Sequence, residues 1–204
     1  MYLILSLELA LNCSWLKAVL LNLWISFSKP MKRLILMRHA KTEPWYQGVD
    51  DESRALLGRG RQDAKLVAAA LQARNWFPDF VLMSTARRTR ETWKAMADYF
   101  PDARTEVMEE LYLAGTSALA TAVRAHEVLE TVMVLGHNPG IHDFAMGISS
   151  VAGSVNQKAA LTLSEKMPTA ATALFEADEE GAFQPEAFRL QDFIIAKKLR
   201  PTDT

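Results

Sequence analysis

The sequence predicts a three-layer α/β sandwich: a mostly parallel central sheet flanked by helices on both faces. Three observations predict it. Short β-prone apolar runs alternate with segments whose apolar residues recur at helical period. The chain has 204 residues, 50% hydrophobic and 23% charged, enough for one full core in an ordinary globular composition. Three of the apolar runs end in cationic or imidazole side chains, and the C-terminal ends of strands are where open α/β sheets bind ligands.

Each element follows from local pattern. Residues 32–37, with Leu34-Ile35-Leu36-Met37 at their centre, read as the first strand. Residues 41–57 are polar and carry Pro44 and Gly48, which predicts a loop. Ala64, Val67, Ala68 and Leu71 form an apolar stripe at helical spacing, so 60–74 is a helix that Asn75 and Pro78 end. Phe80-Val81-Leu82-Met83 is a second buried strand, followed by a helix over 89–99 whose Trp93 and Met96 belong to the core. Residues 107–113 read as a short extended piece, and 116–128 as a helix with Thr116 and Ser117 as caps. Thr131-Val132-Met133-Val134-Leu135 is the strongest strand, and a helix opens at Ile141. The polar stretch 149–168 has no clear period; 171–177 and 188–194 are two more strands.

Composition excludes several classes of function. The formal net charge is −1 and the pI about 6.4, so no general basic excess exists to hold nucleic acid, although a local cationic pocket is compatible with it. One cysteine, Cys13, closes no internal disulfide and suits a reducing, cytoplasmic compartment. His39, His126, His137 and His142 show no metal-ligand spacing, and neither a metal nor a cofactor is expected. His126 is expected to face solvent and His142 to be structural.

Residues 1–30 form an apolar extension before a domain spanning 31–204. From Met1 to Phe27 only Glu8 and Lys17 are charged. The length could span a bilayer, but the two charges inside it are costly and no basic residue precedes it. Met31-Lys32-Arg33-Leu34 looks like a natural start, which favours an over-extended start for 1–30; a membrane anchor and a helix packed on the domain are the alternatives.

The chemistry lies at three strand ends: Arg38-His39-Ala40 after the first, Ser84-Thr85-Ala86-Arg87-Arg88 after the second, and Gly136-His137-Asn138-Pro139 after the strongest. If these strands are parallel neighbours, cations and two imidazoles converge on one cleft suited to a phosphate dianion. Imidazole nitrogen can accept a phosphoryl group. The arginines that open the helix after the second strand oppose its dipole and call for an anion. Arg54 either reaches the cleft edge or pairs with Asp50 or Asp51, and Arg59 and Arg61 decorate an exposed face.

From Lys32 onward these motifs, with Ser84-x-x-x-Arg88-x-x-x-Thr92, resemble the histidine phosphatase superfamily of phosphoglycerate mutase-like fold. Arg54-Ala55-Leu56-Leu57-Gly58-Arg59-Gly60 and Leu111-Tyr112-Leu113-Ala114 are similar to its SixA-type phosphohistidine phosphatases, with Ala55 where that branch has proline. Ala40 stands where the superfamily commonly has glycine, and Thr85 where it frequently has proline. The resemblance implies His39 as nucleophile, with Arg38, Arg88 and His137 binding phosphate, and Arg88 preferred over Arg87 because it lies four residues before Thr92. It implies a phosphatase working through phosphohistidine on His39, with a protonated His137 facing the phosphoryl oxygens.

Expected substrates are phosphohistidine in a protein of histidine-phosphotransfer type, or a small phosphorylated compound. The SixA-type branch lacks a clear acid for the leaving group, and the nearby candidates here are Glu109 and Glu110. The alternatives are a catalytically silent phosphate-binding scaffold and a small-molecule phosphomonoesterase using Glu110 as acid. A membrane partner is expected only if residues 1–30 exist and insert.

Overall fold

A computed structural model describes residues 30–200. Apart from Pro30, the apolar extension 1–30 lies outside the described residues. Strand β1 (Met31–Arg38) is followed by helix α1 (Gly58–Gln72), β2 (Phe80–Ser84), α2 (Arg87–Met96), β3 (Arg104–Met108) and α3 (Thr116–Arg124). Then come β4 (Thr131–Gly136), α4 (Gly140–Ala152), α5 (Gln157–Glu165), β5 (Thr172–Gly181) and β6 (Phe188–Ile194). The sheet order is β3-β2-β4-β1-β5-β6. The first four strands in that order are parallel, while β5 is antiparallel to both β1 and β6.

Alternation along the strands builds two cores. Leu34 and Leu36 of β1, with Val132 and Val134 of β4, pack under α3, α4 and α5. Ile35 and Met37, with Met133 and Leu135, pack under α1 and α2. Period-2 side chains on doubly buried strands produce this division. Truncating a fully buried residue such as Leu36 to alanine would cost about 2–5 kcal/mol.

Three elements differ from the sequence expectation. β3 lies upstream of the extended piece predicted at 107–113, and residues 109–111 form a 3-10 turn. It is an edge strand whose side chains are mostly exposed, so it carries no apolar run to mark it. α3 ends at Arg124 instead of 128: past it the chain tightens into i→i+3 turns, His126 N to Val123 O and Glu127 N to Arg124 O, and the carbonyls of Glu127 and Glu130 accept from Met31, Lys32 and Arg33 at the start of β1. α5 was hidden in a polar stretch; Asn156 Oδ1 caps it by accepting from Ala159 N at 3.0 Å.

Two glycines permit close backbone approach beside the sheet edge. A Cβ at Gly60 would collide with the Lys41 carbonyl, and one at Gly140 with the Ala114 carbonyl. No helix among the described residues is long and apolar enough to cross a membrane.

Candidate active site

The three parallel strands β2, β4 and β1 lie side by side, so their C-terminal ends deliver Arg88, His137 and Arg38-His39 to one cleft. His39 is 6% exposed, His137 4% and Arg88 1%. The two imidazole rings lie 5.2 Å apart, centroid to centroid. Arg87 points elsewhere: it is exposed and pairs with Glu91 at 2.7 Å.

His39 is fixed by the backbone around it. Its N–H donates to Gly136 O at 3.0 Å, extending the β1–β4 pairing past the strand. The next amide, Ala40 N, donates to Thr92 Oγ1 at 3.0 Å. His39 Nδ1 lies 2.8 Å from Ala40 O, and the carbonyl can only accept, so Nδ1 carries the proton and Nε2 keeps a free lone pair. Burial, partly offset by the Ala40 hydrogen bond and aided by His137, Arg88 and Arg38, lowers the pKa to about 3. The imidazole is therefore neutral at physiological pH.

The Ser84-x-x-x-Arg88-x-x-x-Thr92 spacing has a clear local cause. Ser84 Oγ lies 2.6 Å from His137 Nε2, Arg88 Nε donates to His137 Nδ1 at 3.2 Å, and Thr92 holds Ala40. Thr89 Oγ1 donates back to Ser84 O at 2.8 Å, tying the strand end to the first turn of α2.

His137 bridges Ser84 and Arg88. Because Arg88 can only donate, His137 Nδ1 is the acceptor and its proton sits on Nε2, toward Ser84 Oγ. Burial, then the Arg88 charge, lowers its pKa to about 3. His137 is thus neutral beside Arg88, and the protonated form expected from the sequence is the one that faces phosphoryl oxygens.

A second wall comes from the loop between β1 and α1. Thr42 bridges Leu56 in antiparallel fashion, and Glu43 N donates to Ala55 O, so the loop leaves and returns beside the strand end. Its return arm places Asp51 over the cations. The Asp51 carboxylate pairs with Arg88 at 2.9 Å and Arg54 at 2.8 Å, and accepts from the Tyr112 hydroxyl at 2.7 Å. Burial pushes the Asp51 carboxyl up, but Tyr112, Arg88 and Arg54 outweigh it and hold the pKa below its ordinary value. Both sequence expectations for Arg54 hold together: it sits at the cleft and pairs with Asp51. Tyr112 also lies edge-on to His137 and under the Arg88 guanidinium.

Asp51 was missed as a site residue. The available signal was its place among acids three residues before Arg54, beside a cluster of cations. Glu109 and Glu110 are exposed on the 3-10 turn before Leu111, with no side-chain hydrogen bond or ion pair to a cleft residue among the described residues.

Two guanidinium donors remain open. Arg38 Nε and Arg54 Nε are buried without a hydrogen-bond partner among the described residues, while Arg38 Nη1 donates to Met167 O at 3.0 Å. Burial, then the neighbouring Arg88, lowers the Arg38 pKa. Unpaired buried donors are costly, and an oxyanion in the cleft would satisfy them. Among the described residues no group of three or more His, Cys, Asp or Glu is placed to hold a metal ion.

The other histidines sit away from the cleft. His142 Nε2 binds Leu163 O at 2.7 Å, a structural contact. His126 does not simply face solvent: its Nδ1 lies 2.9 Å from Ala122 O, its Nε2 contacts Glu106 at 3.1 Å, and its ring packs on Phe80.

Comparison with known proteins places these features in context. Residues 34–112 match the model of the histidine phosphatase superfamily, branch 1. An uncharacterized protein of Mycobacterium tuberculosis is 34% identical over 139 residues, covering 68% of this chain and 85% of that protein. An uncharacterized chloroplastic protein of Arabidopsis thaliana is 32% identical over 132 residues, which are 59% of this chain and 61% of the plant protein. The chain thus spans about three fifths of that plant relative. Among solved structures, a SixA protein of Agrobacterium tumefaciens, provisionally assigned as a phosphohistidine phosphatase, superposes with a TM-score of 0.67 at 27% identity, over 80% of this chain and 97% of the other.

Proposed function

Because the chain belongs to the histidine phosphatase superfamily, we propose that it is a phosphatase that passes its substrate's phosphoryl group first to His39 and then to water. The observation that carries this proposal is the state of His39: a buried, neutral imidazole with Nδ1 tied to Ala40 O and Nε2 free, beside Arg38, Arg88 and His137.

In the first step His39 Nε2 attacks phosphorus in line. The bond from phosphorus to the leaving atom breaks as the phosphorus–Nε2 bond forms, and the leaving atom takes a proton from solvent. Arg38, Arg88 and Arg54 neutralise the phosphoryl oxygens, each well-placed donor supplying roughly 3–4 kcal/mol in the transition state. His137 binds the same oxygens, and an incoming dianion favours its protonation. Water then attacks phosphorus, the phosphorus–Nε2 bond breaks, and inorganic phosphate departs. Dividing the reaction in two lowers each barrier.

The leaving group follows from the cleft's carboxylate. Asp51 is held ionised by Tyr112, Arg88 and Arg54, so it accepts protons poorly and donates none. An alkoxide needs a general acid, whereas the imidazole of phosphohistidine leaves with far less help. The substrate we propose is phosphohistidine in a protein of histidine-phosphotransfer type, or a small compound with a similarly labile bond.

The test is a panel of phosphorylated substrates, including a histidine-phosphotransfer domain and sugar phosphates, with wild-type and His39→Ala protein. An acid-labile, alkali-stable phosphoryl label on the wild type is expected. His39→Ala should lose both the label and turnover, by on the order of 10⁴-fold. Phosphate binding without any labelling would make the protein a scaffold. Sugar phosphates cleaved as fast as phosphohistidine would overturn the leaving-group argument and return Glu110 to consideration.

A further inference from the structure

The cleft opens beside a helical layer whose charge is one-sided. Every exposed charged residue on α1 and α2 is basic: Arg59, Arg61, Lys65, Arg87, Arg90 and Lys94. The two acids on these helices are outnumbered: Asp63 lies 4.0 Å from Arg59, and Glu91 pairs with Arg61 and Arg87. Asp63 is buried and held by Arg200 through two bonds of 2.9 and 2.7 Å, and Glu91 lies between Arg61 and Arg87 while accepting from Leu56 N. Lys65, Arg90 and Lys94 have no ion pair among the described residues. The layer on the other side of the sheet is balanced, with Arg124 and Lys158 against Asp143 and Glu165.

The basic residues form stripes that start at the cleft. On α2, Arg87, Arg90 and Lys94 recur at helical spacing on the exposed side, while Arg88 on the buried side enters the cleft. On α1, Arg61 and Lys65 do the same. Both helices begin at the cleft edge: Leu57 N donates to Lys41 O just past His39, and Arg87 N donates to Glu52 O. Neither first turn holds an acid, so cations sit where the helix dipole disfavours them. The i,i+4 pairs Arg59–Asp63 and Arg87–Glu91 support the helices, but Lys65, Arg90 and Lys94 have no such partner among the described residues.

Resting on the phosphatase function proposed above, we propose that the exposed face of α1 and α2 docks an acidic protein surface that carries the phosphorylated side chain. A free small substrate would be served by the cleft arginines alone and gains nothing from cations along the outer helix face. A protein whose phosphorylated residue is ringed by carboxylates is steered onto this face and oriented with its phosphoryl group toward His39.

The test uses two synthetic peptides, each with a single N-phosphorylated histidine, flanked by glutamates in one and lysines in the other. Phosphoramidate serves as the small control. At low salt the wild type should favour the glutamate peptide by about tenfold in kcat/KM, and the preference should collapse near 0.5 M salt as charges are screened. Arg90→Glu with Lys94→Glu should raise KM for the glutamate peptide by about tenfold, with kcat and phosphoramidate cleavage unchanged. Arg124→Glu with Lys158→Glu, an equal change of net charge on the other layer, should leave the preference intact.

Equal rates on the two peptides, or a preference that survives Arg90→Glu with Lys94→Glu, would overturn the docking proposal alone. Binding to phosphatidylserine vesicles or to duplex DNA, abolished by the same pair without any peptide preference, would overturn it and assign the face to lipid or nucleic acid. If neither phosphoramidate nor either peptide is cleaved, the phosphatase function fails and the docking proposal falls with it.

Discussion

His39 and His137 leave the sheet at strand ends and are held by backbone bonds and the packed core. Asp51 and Arg54 reach the same cleft on a loop and are held by ion pairs with the cations they face. The strand-end half places neutral imidazoles, and burial sets their protonation. The loop half places charge, and its carboxylate occupies two arginines that a phosphoryl group would also engage. Nucleophile position is thus a property of the fold, whereas the cationic strength of the cleft depends on how one loop sits.

The largest test of that division is Arg88→Ala, since Arg88 joins the halves through His137 Nδ1 and Asp51. Steady-state assays should show kcat lower by about 10²–10³, the scale of one lost transition-state donor. An activity within threefold of wild type would place the essential cation on the loop half instead.

Next comes pH. The folded imidazoles titrate at about 3, whereas those of the unfolded chain titrate near 6.5. Between those values the unfolded state binds more protons, so stability rises with pH and is lost as pH falls from 6.5 toward 3, by at most about 1.4 kcal/mol per unit per imidazole. Asp51 acts in the same sense but in a more acidic window: its lowered pKa gives stability that is present above the ordinary carboxylate value and lost only below it. Urea midpoints measured from pH 7 to 4.5 should therefore decline in wild type and flatten in His39→Gln with His137→Gln. Asp51→Asn should keep the slope; a flattened slope there would mean the loop half governs the titration.

The smallest expected effect is Asp51→Asn on product binding. Removing the carboxylate releases the charge of Arg88 and Arg54, and phosphate should inhibit about threefold to tenfold more tightly. Weaker inhibition would show that the carboxylate chiefly positions the arginines.

Much of this cleft was legible in the sequence because strand ends announce themselves. An apolar run followed by Arg38-His39, or by Gly136-His137, marks both the element and the point where it meets solvent. Arg88 was separable from Arg87 by its spacing to Thr92. β3 is not legible because an exposed edge strand needs no apolar residues, and the end of α3 is not legible because the tight turns after Arg124 leave the apolar spacing unchanged. Asp51 is not legible, because an acid in a polar loop looks like any solvated acid until the cations it meets are known.

Local pattern by itself determined the buried strands, the two-sided helical cover and the strand ends that carry imidazoles and arginines, since these follow from side-chain period and from chemistry carried on consecutive residues. Only the tertiary structure decided the protonation of His137, the bridging place of Asp51 and the joining of α1 and α2 into one basic face. Those depend on burial and on distances between residues far apart in the chain, which no local pattern encodes.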